Sequence, residues 1–134
     1  MSGLVLKLAP NERVLINGAV IENGVRRGRL NIVTPGVNIL RLRDALHPEQ
    51  VTTPVRRVCY VAQLILCGEA DEGAGKSQLL RGIAQLSQVL LDGESQAALR
   101  LAVEAVENAQ HYYVLKHLRT LLPKEEQLFA MGRS

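Results

Sequence analysis

Hydrophobic and polar positions alternate with a two-residue period through much of residues 4–43, for example at residues 4–8 and 37–43. Such a period places successive side chains on opposite faces of a β-strand. Asn17-Gly18 between apolar runs is typical of a β-hairpin, and Pro35-Gly36 indicates a further turn. The pattern predicts a small antiparallel β-sheet of about five strands.

The hydrophobic period changes near residue 48, after which apolar residues recur every three or four positions. Thr53-Pro54 is typical of a helix start, because Thr caps the first turn and Pro suits the first helical position. Further helices are expected over residues 77–91, after Ser95, and from His111 to a stop at Pro123. The pattern therefore predicts an α+β fold, with a basic β-rich region at residues 1–47 and a region of four to five helices at residues 48–134.

Composition adds limits on the class of protein. The chain has 134 residues, 47% hydrophobic and 22% charged, which favours a folded core over disorder. Aromatic residues make up 3%, so a nucleic-acid site built on aromatic stacking is not expected. The sequence shows neither a signal-peptide pattern nor an apolar run near the roughly 20 residues that span a bilayer. With Cys59 and Cys67 expected to be buried free thiols, these features predict a cytoplasmic protein.

The positive charge is concentrated in the front part of the chain. Residues 1–57 carry nine basic and four acidic side chains, a net charge of +5, whereas residues 58–134 carry seven basic and nine acidic ones, a net charge of −2. Arginine suits bidentate contacts with phosphates, so these residues are candidates for an RNA-binding stripe, with ordinary solvated surface as the alternative. The candidates are Arg26, Arg27, Arg29, Arg41, Arg43, Arg56 and Arg57.

One segment resembles a phosphate-binding loop. It ends in Gly75-Lys76-Ser77 just before a predicted helix, where backbone amides could hold a phosphate. However, only 15 residues separate Lys76 from Asp92, which is too few for both that helix and the parallel strand of a nucleotide-binding unit. We therefore interpret residues 68–75 as a loop that connects two helices.

Catalytic and metal-binding patterns are weak. The three histidines, at positions 47, 111 and 117, lack the spacing of metal ligands. The nearest carboxylate pairs, Glu104 with Glu107 and Glu125 with Glu126, are expected on solvated stretches, where they do not form a general acid–base pair. We therefore expect a binding protein that uses no metal or cofactor, and not an enzyme.

Several segments resemble the FlbT family of flagellin regulators. The run Val-Leu-Ile-Asn-Gly-Ala-Val-Ile at residues 14–21, after Glu12-Arg13, is similar to the family's N-terminal signature. So are Thr-Thr-Pro-Val-Arg-Arg-Val-Cys-Tyr-Val-Ala-Gln at residues 52–63 and Leu-Arg-Thr-Leu-Leu-Pro at residues 118–123. The order of a β part before a helical part also matches, so the resemblance covers nearly the whole chain.

The resemblance implies post-transcriptional control of flagellin synthesis. FlbT proteins act on flagellin messenger RNA, typically at its 5′ untranslated leader, and mostly repress translation, although the effect is positive in some species. They work with a small protein partner, FlaF, and share no firm set of catalytic residues. The alternative is an adaptor that acts through FlaF or flagellin without touching RNA. A homo-oligomer is also possible, because a small sheet with exposed edges often pairs with itself.

The front part also resembles, more distantly, the carbon-storage regulator CsrA, another protein that binds mRNA leaders. The likeness lies in Glu-Arg-Val-Leu-Ile at residues 12–16 and in residues 34–41. In CsrA an arginine late in the sheet contacts RNA, and Arg41 or Arg43 is nearest to that position. The helical part has no counterpart in CsrA.

Overall fold

A computed structural model describes residues 4–17, 19–37, 39–41 and 45–132 of the chain. Five strands come first: β1 (Leu4–Leu8), β2 (Arg13–Ile16), β3 (Ala19–Glu22), β4 (Gly28–Ile32) and β5 (Ile39–Arg41). A short 3₁₀-helix (Pro48–Gln50) precedes five α-helices: α1 (Pro54–Leu66), α2 (Glu72–Ser87), α3 (Gly93–Glu107), α4 (His111–Arg119) and α5 (Leu122–Gly132). This order confirms the predicted α+β fold. None of the described helices combines the length and the apolar character that a membrane crossing requires.

The strands divide between two small antiparallel sheets. One contains β1 and β4, and the other has the order β3-β2-β5. The predicted hairpin joins β2 to β3, with Ile16 opposite Ala19 and Asn17 at a φ of 50°. After β3 the Asn23 side chain donates hydrogen bonds to the carbonyls of Ala9 and Arg26, both at 2.8 Å, and so turns the chain away towards β4.

The three-stranded sheet is buried on both faces where β2 pairs with β5. Side chains directly opposite each other in an antiparallel pair share a face. Leu15 and Leu40 are such a pair and join the core of the helical part. Ile16 and Ile39 form the next pair, on the opposite face, and pack with Val14 against the two-stranded sheet. The three-stranded sheet is therefore a middle layer between the two-stranded sheet and the helices.

Two glycines set the close approach of α1 and α2. A Cβ atom at Gly75 would lie 2.5 Å from the Cδ1 atom of Ile65, and one at Gly82 would lie 2.6 Å from the Cγ2 atom of Val58. These glycines are seven residues apart, about two helical turns, so both face α1. The glycine in the segment that resembles a phosphate-binding loop therefore has a packing role.

Two predicted helix boundaries were wrong. Helix α2 begins at Glu72 rather than near Ser77, because the Asp71 carboxylate caps it by accepting a hydrogen bond of 3.0 Å from the amide of Ala74. Helix α4 ends at Arg119, and Pro123 lies in the first turn of α5 instead of closing the last helix. Proline is tolerated there, since the first-turn amides have no partner within the helix.

The start of α1 is stabilised by a buried carboxylate from the other end of the chain. The Glu125 side chain accepts a 2.8 Å hydrogen bond from the amide of Val55 and a further one from the hydroxyl of Thr53. Thr53 is the helix cap, as predicted, and accepts from the amide of Arg56 at 3.3 Å. The expectation that Glu125 is solvated was therefore wrong, because it satisfies free amides at a helix N-terminus, whereas its neighbour Glu126 is exposed.

A second buried contact holds the segment between the sheets and the helices. The Gln63 amide on α1 donates to the carbonyl of Leu46 at 2.9 Å and accepts from its amide at 2.7 Å. Gln63 is buried, so this double hydrogen bond is shielded from water. The interaction attaches the end of the β-rich part to the central helix.

The two cysteines differ in environment. Cys59 is fully buried in α1, and burial raises the pKa of its thiol to about 12. Cys67 lies at the end of α1 and is partly exposed, with a pKa raised by burial and by the nearby carboxylate of Glu69. Both are free thiols as predicted, although only Cys59 is fully buried.

We predict that Glu125→Ala lowers the free energy of unfolding by about 1–3 kcal/mol, because it leaves a buried amide without an acceptor. Urea denaturation measures the effect. Glu126→Ala is the matched control and should change stability by less than about 0.5 kcal/mol. Equal stabilities for the two variants would show that the buried carboxylate does not hold α1.

We predict that only Cys67 of the folded protein reacts with an aromatic disulfide reagent near pH 8, because the Cys59 thiol is buried and remains protonated. Folded Cys67→Ser should therefore release no thiolate signal until denaturant is added, whereas Cys59→Ser should keep the signal of the native protein. Rapid labelling of folded Cys67→Ser would contradict the burial of Cys59.

Candidate nucleic-acid interface

The two-stranded sheet has two positively charged side chains directly opposite each other on its exposed face. Lys7 on β1 lies directly opposite Arg29 on β4, and both side chains are exposed. Like charges directly opposite each other in a sheet are destabilising. A bound anion would therefore relieve a repulsion that the fold itself creates.

Arg27 extends this cationic surface. It is exposed just before β4 and lines, with Lys7 and Arg29, a shallow depression of about 620 Å³. We call Lys7, Arg27 and Arg29 the basic patch. Within the described part of the chain, none of the three forms an ion pair with a carboxylate. Arg26 is exposed next to the patch in sequence.

Arg41 has a structural role. Its guanidinium donates a 2.5 Å hydrogen bond to the carbonyl of Lys7 and lies 3.4 Å from the Glu12 carboxylate. The Glu12 side chain is only 5% exposed, and among the described residues it is the one carboxylate that lines the depression, so this pair compensates its charge. Arg41 therefore joins β5 to β1 and holds the two sheets together.

The other predicted arginines lie elsewhere. Arg56 is half-buried in the first turn of α1. Arg57 is exposed and lines a groove between α1 and α2 together with Arg81. Arg43 lies outside the described residues. The structure thus brings Arg27 and Arg29 together and separates them from Arg57.

The segment that resembles a phosphate-binding loop lies within α2. Gly75, Lys76 and Ser77 are all helical, and the amide of Gly75 donates to the carbonyl of Asp71 at 2.8 Å. The Lys76 ammonium lies 3.4 Å from the carboxylate of Glu107 on α3. The loop predicted for residues 68–75 therefore ends at Asp71, and residues 72–77 form the start of a helix without the shape of a phosphate cradle. Among the described residues, no group of three or more His, Cys, Asp or Glu side chains could hold a metal ion.

A cleft that the sequence did not reveal lies between the sheets and α4. Its volume is about 500 Å³. One wall consists of α4 and the two residues before it, and the other consists of β1, the end of β4, the loop after it and β5. The charged side chains among the described residues that line it are all cations: Arg41, Lys116 and Arg119. The aromatic residues that line it are Tyr112 and Tyr113. The spacing of positions 112, 116 and 119 could have shown that these residues share one face of a helix. It could not have shown which part of the protein lies opposite that face.

Comparison with known proteins identifies similar chains along nearly the whole length. The family model described as "Flagellar protein FlbT" matches residues 4–129. A Brucella abortus (strain S19) protein named "Probable flagellum biosynthesis repressor protein FlbT" is 33% identical over 126 residues, which cover 92% of this chain and 80% of the relative. A Brucella anthropi protein of the same name is 30% identical over 126 residues, covering 94% and 82%. No solved structure shows significant similarity.

We predict that Arg41→Ala lowers the free energy of unfolding by about 1.5–3 kcal/mol, because it removes a charge-assisted hydrogen bond and leaves the Glu12 carboxylate buried without this cation. Urea denaturation measures this loss. Arg27→Ala and Arg29→Ala should each stay within about 0.5 kcal/mol of the native protein, since their side chains are exposed. Similar losses for all three variants would contradict the separation into structural and surface arginines.

Proposed function

The chain belongs to the FlbT family of flagellar proteins, and from this membership we propose that it regulates flagellar synthesis by binding flagellin messenger RNA. The proposed target is the 5′ untranslated leader, in the cytoplasm where the message is translated. The relatives are named repressors, so the proposed effect is repression of translation. The proposed activity is binding, without a catalytic step.

The basic patch is the observation that carries this proposal. Lys7 and Arg29 are held opposite each other by strand pairing, and Arg27 lies beside them. Arginine binds phosphate oxygens through a planar fork of donors, and cations gain affinity by displacing the counterions around a nucleic acid. The patch is therefore suited to hold the backbone of an RNA strand.

The charge distribution of the chain also supports binding of RNA at the sheets. The net charge of +5 over residues 1–57 and of −2 over residues 58–134 would direct an RNA strand towards the sheets. A protein held on the leader would then exclude the ribosome from the RNA that it covers. This steric mechanism needs affinity for the RNA and no chemical change in it.

The edge of the three-stranded sheet supports a proposed homo-oligomer. All four residues of β3 are exposed, and the Val20 side chain retains 59% of its accessible surface. Among the described strands β3 pairs with β2 alone, so its other edge offers backbone hydrogen-bonding groups. Pairing with β3 of a second copy would satisfy them and bring two basic patches onto one assembly.

A second candidate function is an adaptor that acts through a protein partner such as a FlaF-type protein. The groove of about 370 Å³ between α1 and α2 favours it. Arg57 and Arg81 line this groove together with Val58, Val61 and Val89, and Val89 is 65% exposed. A partner helix with an apolar stripe and acidic flanks would fit such a groove. This surface is separate from the basic patch, so both contacts could exist in one protein.

We predict that the full-length protein binds a flagellin leader RNA in a mobility-shift titration, and that Arg27→Ala/Arg29→Ala weakens binding because it removes cations that hold phosphates. The slope of log affinity against log salt should fall by about 0.7 for each phosphate that the variant no longer neutralises on a single-stranded RNA. Arg100→Ala is the matched control, because Arg100 is exposed on α3, far along the chain from the patch. Its affinity and salt slope should equal those of the native protein.

Two results would contradict direct RNA binding. One is the absence of a shift at low salt while a FlaF-type protein binds, which would favour the adaptor. The other is an equal reduction of RNA affinity in the Arg100 and Arg27/Arg29 variants, which would indicate a general charge effect without a defined patch.

A further inference from the structure

The cleft between the sheets and α4 has the chemistry of a site for unstacked RNA bases. We propose that Tyr112 and Tyr113 stack on bases of the same single-stranded RNA whose backbone contacts the basic patch. This inference rests on the proposed function and extends it, because it assigns a base-binding site where the function requires only phosphate contacts.

The two tyrosine rings are placed as a stacking platform. Their centroids are 5.6 Å apart and their planes meet at 83°, so the rings present faces in two directions. Tyr112 is 39% exposed and Tyr113 is 48% exposed, although both line the cleft. Exposed aromatic faces beside cations are typical of proteins that bind single-stranded nucleic acid, because every base has a face that can stack.

The cation beside the rings is available for a phosphate. The Lys116 ammonium lies 5.7 Å from the centroid of the Tyr113 ring, near the limit of about 6 Å for a cation–π interaction. Such a contact at an exposed site is weak. The ammonium can therefore turn to a phosphate oxygen when a base stacks on the ring.

The opposite wall limits the size of the ligand. It is formed by Leu4, Ile32 and the loop of residues 33–37, in which Gly36 turns the chain with a φ of 73°. The cleft volume of about 500 Å³ is in the range of small-molecule sites, so it suits one or two bases and excludes a duplex. Proteins that recognise an RNA sequence most often bind it in single-stranded segments.

The cleft and the basic patch are linked by Arg41. Its side chain lines the cleft, while its guanidinium donates to the carbonyl of Lys7 in the patch. The patch lies near the Leu8–Gly28 end of the β1–β4 pair, and the cleft lies near the Leu4–Ile32 end. Leu4 and Leu8 are four residue steps apart along β1, about 14 Å, so one strand of RNA can reach both sites around the edge of the sheet.

The lining favours RNA over a protein segment. The charged side chains that line the cleft among the described residues are cations, and although Arg41 is paired with Glu12, this lining favours an anionic ligand. An apolar protein segment would gain binding free energy by packing against the aliphatic wall of the cleft. It would, however, need acidic residues on the one side that faces the cations. Continuity with the basic patch also favours one extended anionic ligand.

The test compares a ligand that has bases with one that has only phosphates. Fluorescence anisotropy measures binding of a labelled twelve-nucleotide oligouridine to the full-length protein, with inorganic polyphosphate as the second ligand. We expect Tyr113→Leu to weaken oligouridine binding about fivefold or more, because the base can no longer stack on the ring. Polyphosphate binding should not change. Tyr113→Phe should keep the native affinity for both ligands, since the ring remains.

The matched control is Phe129→Leu, which removes an aromatic side chain that is 46% exposed on α5 and does not line the cleft. It should bind both ligands as the native protein does. Thermal unfolding followed by circular dichroism first confirms that each variant is folded. Tyr112→Leu serves in place of Tyr113→Leu if that variant does not fold.

The outcomes separate this inference from the proposed function. Native affinity of the folded tyrosine-to-leucine variant for oligouridine, together with weakened binding by Arg27→Ala/Arg29→Ala, would overturn the base site alone. Equally weakened binding of oligouridine and polyphosphate would show that the tyrosines only position cations, and would also overturn it. Weaker binding of a peptide rich in Asp and Leu to Tyr113→Leu, without an effect on RNA, would assign the cleft to a protein partner. Absence of RNA binding by the native protein would overturn both proposals.

Discussion

The small size of the two sheets is the constraint on which the rest of the structure depends. Two and three short strands bury too little apolar surface to fold alone. The three-stranded sheet meets this constraint by burying both faces. Leu15 and Leu40 enter the helical core, while Val14 and Ile39 cover the two-stranded sheet. The exposed face of the two-stranded sheet is thereby left to carry the basic patch.

Helix α1 determines how α4 lies relative to the sheets, and so determines the position of the cleft. It contacts β5 and the helices α2, α4 and α5, and two buried polar contacts attach it to distant parts of the chain. Glu125 caps its start, and Gln63 holds the segment that leaves the sheets. Because α4 packs on α1 while β1 is held to β5 by Arg41, the tyrosines of α4 come to face the end of the β1–β4 pair. Structural groups thus determine where the candidate binding groups lie.

The sequence predicted those features that depend on short-range patterns. The Asn17-Gly18 hairpin, the Thr53-Pro54 helix start and the order of strands before helices follow from turn, capping and period rules, and the structure confirms them. Features that depend on distant partners could not be predicted. In the sequence Glu125 resembles a surface acid, because the packing of α5 against the start of α1 is not visible there. Arg41 likewise resembles a surface cation, because the sequence does not show that Glu12 lies beside it. The low aromatic content of the chain argues against a stacking site. Composition alone, however, does not show that Tyr112 and Tyr113 line the same cleft.

The central claim is that RNA binds on the sheets and α4 and not on the outer helices. Amide chemical shifts of the isotope-labelled full-length protein, followed during titration with a flagellin leader RNA, test it most directly. The account predicts shifts concentrated at residues 4–8, 26–41 and 111–119, with little change in α2 and α3. Shifts centred on the groove between α1 and α2, or none at saturating RNA, would contradict it.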